Sequence, residues 1–142
     1  SPLAEKVLRK AHGRLSPYLI PKSREGAIKM ARVLKDGGHL AIMIDQKLNE
    51  GITIPFFGRP AKTTTALAAF ALRHRCPIIP ARVERIAGAT FRVIFYPPIQ
   101  LPNSGDTVRD TELIMRNANQ IIENWIRDTP SQWLWLHRRW GK

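Results

Sequence analysis

This chain has little that would support several large function classes. A single cysteine, Cys76, rules out an internal disulfide framework and suits a reducing compartment; it reads as a small apolar residue at a helix end. No apolar run approaches the roughly 18 residues needed to span a bilayer. No Gly-x-Gly-x-x-Gly or Walker loop is present, which speaks against a nucleotide cofactor, and no His/Cys/Asp spacing suits a metal. No cofactor is expected. Acidic residues are scarce, 11 against 23 basic ones, so the net charge is +12. A surface of that sign expects an anionic partner: nucleic acid, a phospholipid surface or a phosphorylated substrate. The basic residues are scattered in pairs such as Arg9-Lys10 and Arg138-Arg139, unlike a disordered basic tail.

What is present is ordinary globular material. The 142 residues suffice for one domain, and 44% hydrophobic content provides a core. Residues 2–12 read as a helix that turns at His12-Gly13-Arg14, and Pro17 and Pro21 keep residues 15–22 extended. Ser23 is a plausible N-cap for a helix with Ala27, Met30, Ala31 and Leu34 on its apolar side, ended by Gly37-Gly38. Leu40 to Ile44 is apolar on both faces and reads as a central strand covered by helices. It stops on Asp45-Gln46, and residues 46–61 read as a long loop. Thr63 to His74 reads as a helix with Ala66, Leu67, Phe70 and Ala71 inward. Ile78–Ile86 and Thr90–Tyr96 read as strands joined through Ala87-Gly88-Ala89, with Phe91, Val93 and Phe95 on one face and Arg92 on the other. A last long helix starts at Thr107 and ends before Pro130. The order is that of an α/β layered domain. A strand that delivers a carboxylate into a loop at its carboxyl end is where open α/β sheets place ligand sites.

The string from Asp45-Gln46 through Pro55-Phe56-Phe57-Gly58 to Pro77-Ile78-Ile79-Pro80 has a specific likeness, as does the ending Trp133-Leu134-Trp135-Leu136-His137-Arg138-Arg139-Trp140. Both resemble the late acyltransferases of lipid A biosynthesis, the lauroyl and myristoyl transferases of Gram-negative bacteria. The resemblance implies a glycerolipid-acyltransferase-like α/β fold, of which residues 1–142 would be the C-terminal portion. It also implies transfer of a fatty acyl chain from acyl carrier protein to a Kdo-bearing lipid A precursor. The expected location is the cytoplasmic face of the cell inner membrane. Gly13-Arg14 and Asp45 match the family's functional glycine-arginine and acidic positions, so Arg14 and Asp45 are the catalytic candidates. The guanidinium would hold phosphate or developing charge through paired hydrogen bonds, fixed by a nearby carboxylate. Arg9, Gln46, Phe56, Phe57 and Arg59 are candidates for substrate binding. The two phenylalanines could line an acyl-chain groove or could plug the core under the loop.

One departure from the family matters most. Its base is a His-x-x-x-x-Asp/Glu pair, the carboxylate orienting the imidazole. Five residues after His12, His39, His74 and His137 stand Pro17, Ile44, Ile79 and Lys142, none acidic. Because the chain opens on Ser1 inside a helical pattern, it is expected to be a fragment that transfers no acyl group alone. The Phe-Pro-Glu-Gly-Thr-Arg block of the glycerolipid acyltransferases is also missing. The Trp/Arg ending fits a membrane–water interface, with Trp133, Trp135 and Trp140 inserted among headgroups; a core packing of the same rings is the alternative. A basic nucleic-acid-binding module would use the same residue types, but it lacks any recognisable motif of that class, and no nucleic-acid partner is expected.

Overall fold

A computed structural model describes Ile20, residues 23–135 and residues 138–140. The chain divides into two units, residues 1–40 and 41–142. The expected helix over residues 2–12 and the turn at Gly13-Arg14 lie outside the described residues.

In the first unit, helix α1 runs Arg24–Lys35. Ser23 begins it by accepting a 3.0 Å hydrogen bond from the Gly26 N–H, as expected of an N-cap serine. Its end is a complete Schellman closure. Gly37 takes a φ of 77°, its N–H donates to Leu34 O (3.1 Å), and Gly38 N–H donates to Val33 O (2.8 Å).

The second unit is mixed α/β. Strands β1 (Ile52–Phe56) and β2 (Arg59–Thr63) form one antiparallel ribbon. Helix α2 (Ala66–His74) follows, then strands β3 (Ala81–Ala87) and β4 (Thr90–Phe95), paired antiparallel in a second ribbon. Helix α3 (Thr107–Asp128) and a 3-10 turn at Pro130–Gln132 complete it.

Two expectations are corrected here. Leu40–Ile44 is irregular backbone, not a central strand. It has no ladder among the described residues, and while Ile44 packs against the core, Met43 is 74% exposed. Residues 46–61 are not one long loop either, because most of β1 and β2 lies within them. The α/β character stands, but the described sheets are two small ribbons rather than one layered sheet.

The first ribbon alternates. Ile54, Phe56, Ala61 and Thr63 point inward, while Thr53, Pro55, Pro60 and Lys62 point out. Pro55 and Pro60 stand opposite each other in the register. Neither can donate to a ladder, which confines them to a ribbon of this kind and hides the strands from a reading by propensity. The two-residue turn Phe57-Gly58 has φ of 51° and 71°, the sign pattern of a type I′ hairpin. Thr63, expected to open the next helix, instead closes β2.

Ile54, Ala68, Ala71, Ile78, Ile114, Met115 and Ala118 form the main core between the first ribbon, α2 and α3. Cys76 packs at its edge, as a small apolar residue would. A second cluster, Phe56, Ala61 and Ile126, is covered by Phe57, Ile122, Trp133 and Trp140. Helix α3 begins on Asp106, whose carboxylate accepts from Val108 and Arg109 N–H groups. Beside its apolar stripe it buries Asp110, Asn119 and Glu123, each with a partner.

Candidate functional site

The candidate site is organised by a buried arginine. Arg139 is 0% exposed. One terminal nitrogen donates to Lys62 O (2.8 Å); the other donates to Thr63 Oγ1 (2.7 Å) and, more weakly, to Asn119 Oδ1 (3.4 Å). Its guanidinium lies 4.8 Å from the centroid of the Phe56 ring. Nε is buried and has no hydrogen-bond partner among the described residues. Burial pushes the guanidinium pKa below its ordinary value, and the negative charge of Asp45 opposes that shift.

The segment after Asp45 is tied to β2. Leu48 N–H donates to Lys62 O (3.3 Å), the same carbonyl that Arg139 contacts. Gly51 N–H closes a turn onto Leu48 O (2.9 Å), and Lys62 Nζ reaches Gly51 O (3.3 Å). Gly51 is required by close approach: a Cβ there would collide with the Thr63 carbonyl.

The tip of the first ribbon is held from the side by α3. Phe57, a bulky residue at positive φ, donates its N–H to Glu123 Oε1 (2.8 Å). Glu123 also pairs with Arg127 (3.0 Å), whose guanidinium lies 4.7 Å from the Phe57 centroid. Asn119 Nδ2 donates to Pro55 O (3.0 Å), and Trp140 Nε1 to Phe56 O (3.0 Å).

Of the candidates read from the sequence, Asp45 is half-buried within electrostatic reach of Arg139, and Gln46 beside it is half-buried. Arg59 is exposed at the ribbon tip, 5.3 Å from the Trp140 centroid. Phe56 is fully buried under Trp133 and Trp140, so of the two readings it takes the core one; Phe57 is partly buried. Arg9 and Arg14 lie outside the described residues. The tryptophans of the ending divide. Trp133 and Trp140 pack on Phe56, and Trp135 is 52% exposed, edge-on to Trp133 at 4.7 Å. Two of the three rings therefore serve the core rather than an exposed interface.

Sequence reasoning missed Arg139, Asn119 and Glu123 as parts of this constellation. The one available signal was polar side chains at positions 119 and 123 on the otherwise apolar side of α3. No three of the described His, Cys, Asp and Glu side chains converge as a metal site requires. No helix among the described residues is long and apolar enough to cross a membrane.

A buried cation near a half-buried carboxylate can steady that carboxylate, which fits many reactions. The comparison with protein families narrows the choice, because the model for bacterial lipid A biosynthesis acyltransferases matches residues 2–142. The chain belongs to that family. No individual curated protein matches it. As a lipid A biosynthesis acyltransferase, it acts in a class whose substrate is a lipid A precursor.

Proposed function

We propose that this chain belongs to an enzyme that moves a fatty acyl group from acyl carrier protein to a Kdo-bearing lipid A precursor. The observation that carries the reading is the family match over residues 2–142. In the reaction the thioester C–S bond breaks and an ester C–O bond forms to an acceptor hydroxyl. The hydroxyl proton passes to a base, and the leaving thiolate is protonated in turn. None of the four histidines here has an acidic residue five positions on, so this chain does not itself supply the family's base pair. Its contribution is charge and shape. Arg14 and Asp45 act at the reacting centre. Arg9, Gln46, Phe57 and Arg59 contact substrate, and Phe56 supports them from the core.

The glycerolipid-acyltransferase layering of the whole fold belongs to the same proposal, as does a place on the cytoplasmic face of the inner membrane. Support for the membrane side comes from the second ribbon. Val83, Ile86, Phe91, Val93 and Phe95 are all exposed, a concentration of large apolar side chains on one hairpin. Arg85 sits on the Phe91 face, 4.8 Å from that ring's centroid. Aromatic rings interleaved with arginine suit an anionic headgroup layer.

The test is direct. Acyl transfer from acyl carrier protein to the lipid A precursor is measured with the purified 142-residue chain and with the full-length protein. The isolated chain is expected to show no turnover. Turnover by the isolated chain that survives substitution of all four histidines would remove the proposed mechanism.

A further inference from the structure

We propose that Arg139 is a positioning residue for Asp45, holding the 45–51 segment against β2 from inside the core through the shared Lys62 carbonyl. The inference rests on the proposed role of Asp45 in acyl transfer and deepens it. Its geometry is two hydrogen bonds that share one acceptor. Arg139 donates to Lys62 O at 2.8 Å, Leu48 N–H donates to the same oxygen at 3.3 Å, and Leu48 lies three residues beyond Asp45. The Gly51–Leu48 turn and the Lys62 Nζ contact to Gly51 O close the segment onto the same strand.

Packing alone does not explain an arginine here. A fully buried guanidinium loses its hydration, and an apolar side chain of similar volume would commonly serve stability as well or better. The hydrogen bonds to Lys62, Thr63 and Asn119 leave Nε without a partner among the described residues. Each neutral partner is itself oriented. Thr63 Oγ1 donates onward to Ala61 O (3.2 Å), and Asn119 Nδ2 is committed to Pro55 O. The fork is thus fixed in one orientation, with the negative charge of Asp45 in its field. That arrangement holds a carboxylate-bearing segment in register with the ribbon, which an apolar plug could not do.

The experiment compares Arg139→Gln, Arg139→Lys and Asp45→Asn in the full-length protein, reading amide hydrogen exchange and acyl-transfer kinetics. Arg139→Gln should raise exchange at Leu48 and Gly51 by about tenfold more than in β3 and β4, as loss of one charge-assisted contact implies. Turnover should fall by roughly tenfold or more while KM changes by less than about threefold, since placement of a reacting group is lost rather than substrate affinity. Arg139→Lys keeps the charge but not the fork, and should restore exchange protection partly. If the glutamine variant does not fold, the lysine variant carries the test: reduced turnover with a retained fold supports positioning, and unchanged turnover overturns it. Exchange that rises equally throughout the second unit would also overturn it, by reducing Arg139 to a general stabiliser. Undiminished turnover in Asp45→Asn would instead remove the role of Asp45 on which the inference rests. Lost turnover in Asp45→Asn beside a fully active Arg139→Gln fails this proposal alone.

Discussion

At the scale of single residues, two positions are set by what stands against them. Phe57 sits at φ 51°, which for a bulky side chain costs on the order of 1–3 kcal/mol. The Glu123 carboxylate on its N–H and the Arg127 guanidinium over its ring offset that cost. Replacing Glu123 by Ala removes the acceptor from a partly buried N–H and releases Arg127. The expected loss is about 1–3 kcal/mol in urea denaturation, with no comparable loss for Glu112→Ala, whose partner Arg116 is exposed. An equal effect at both sites would mean that the tip contact is not special. Gly51 is the other position. A Cβ meets backbone there rather than a movable side chain, so Gly51→Ala should cost about 1–3 kcal/mol by overpacking. A neutral Gly51→Ala would show that β2 yields easily.

At the scale of elements, legibility followed how local the signal was. The Ser23 cap, the Gly37-Gly38 closure and α3 were readable because each depends on a few neighbouring residues. The alternation of Phe91, Val93 and Phe95 against Arg92 was also readable, and the second ribbon keeps it. The first ribbon was not, because Pro55 and Pro60 look like loop residues until they are seen facing each other with their missing N–H groups. Leu40–Ile44 failed in the opposite sense: an apolar run is necessary for a central strand, but the ladder needs a partner, and none pairs with it among the described residues. Asp45 is a candidate by its match to a family pattern. Arg139, which feels its charge, was not legible, since an electrostatic interaction across 94 positions leaves no local trace. The first ribbon depends on its inward aromatic. Phe56→Ala should cost roughly 3–5 kcal/mol, and calorimetry should show the loss as a lowered Tm. A loss below about 1 kcal/mol would mean that Trp133 and Trp140 collapse to fill the space.

At the scale of the whole molecule, the +12 charge and the apolar face of the second ribbon favour different partners under different conditions. Charge alone attracts DNA and anionic bilayers alike at low salt, and that attraction fades as counterions are restored. Burial of Phe91 and Phe95 among headgroups would persist. Liposomes carrying lipid A precursor should therefore retain the chain at a salt concentration that releases random DNA. Phe91→Ser with Phe95→Ser should abolish that difference. DNA binding that proves the more salt-resistant would favour a nucleic-acid partner. The central claim is that these residues complete an acyl-transfer site around Asp45. Its most direct test is single-turnover transfer of labelled acyl chain from acyl carrier protein to the lipid A precursor by the full-length protein, with and without Asp45→Asn. The account predicts product from the unsubstituted protein and a fall of about a hundredfold or more in the variant, with its fold retained. No product from the unsubstituted protein, or an undiminished rate in Asp45→Asn, would contradict it.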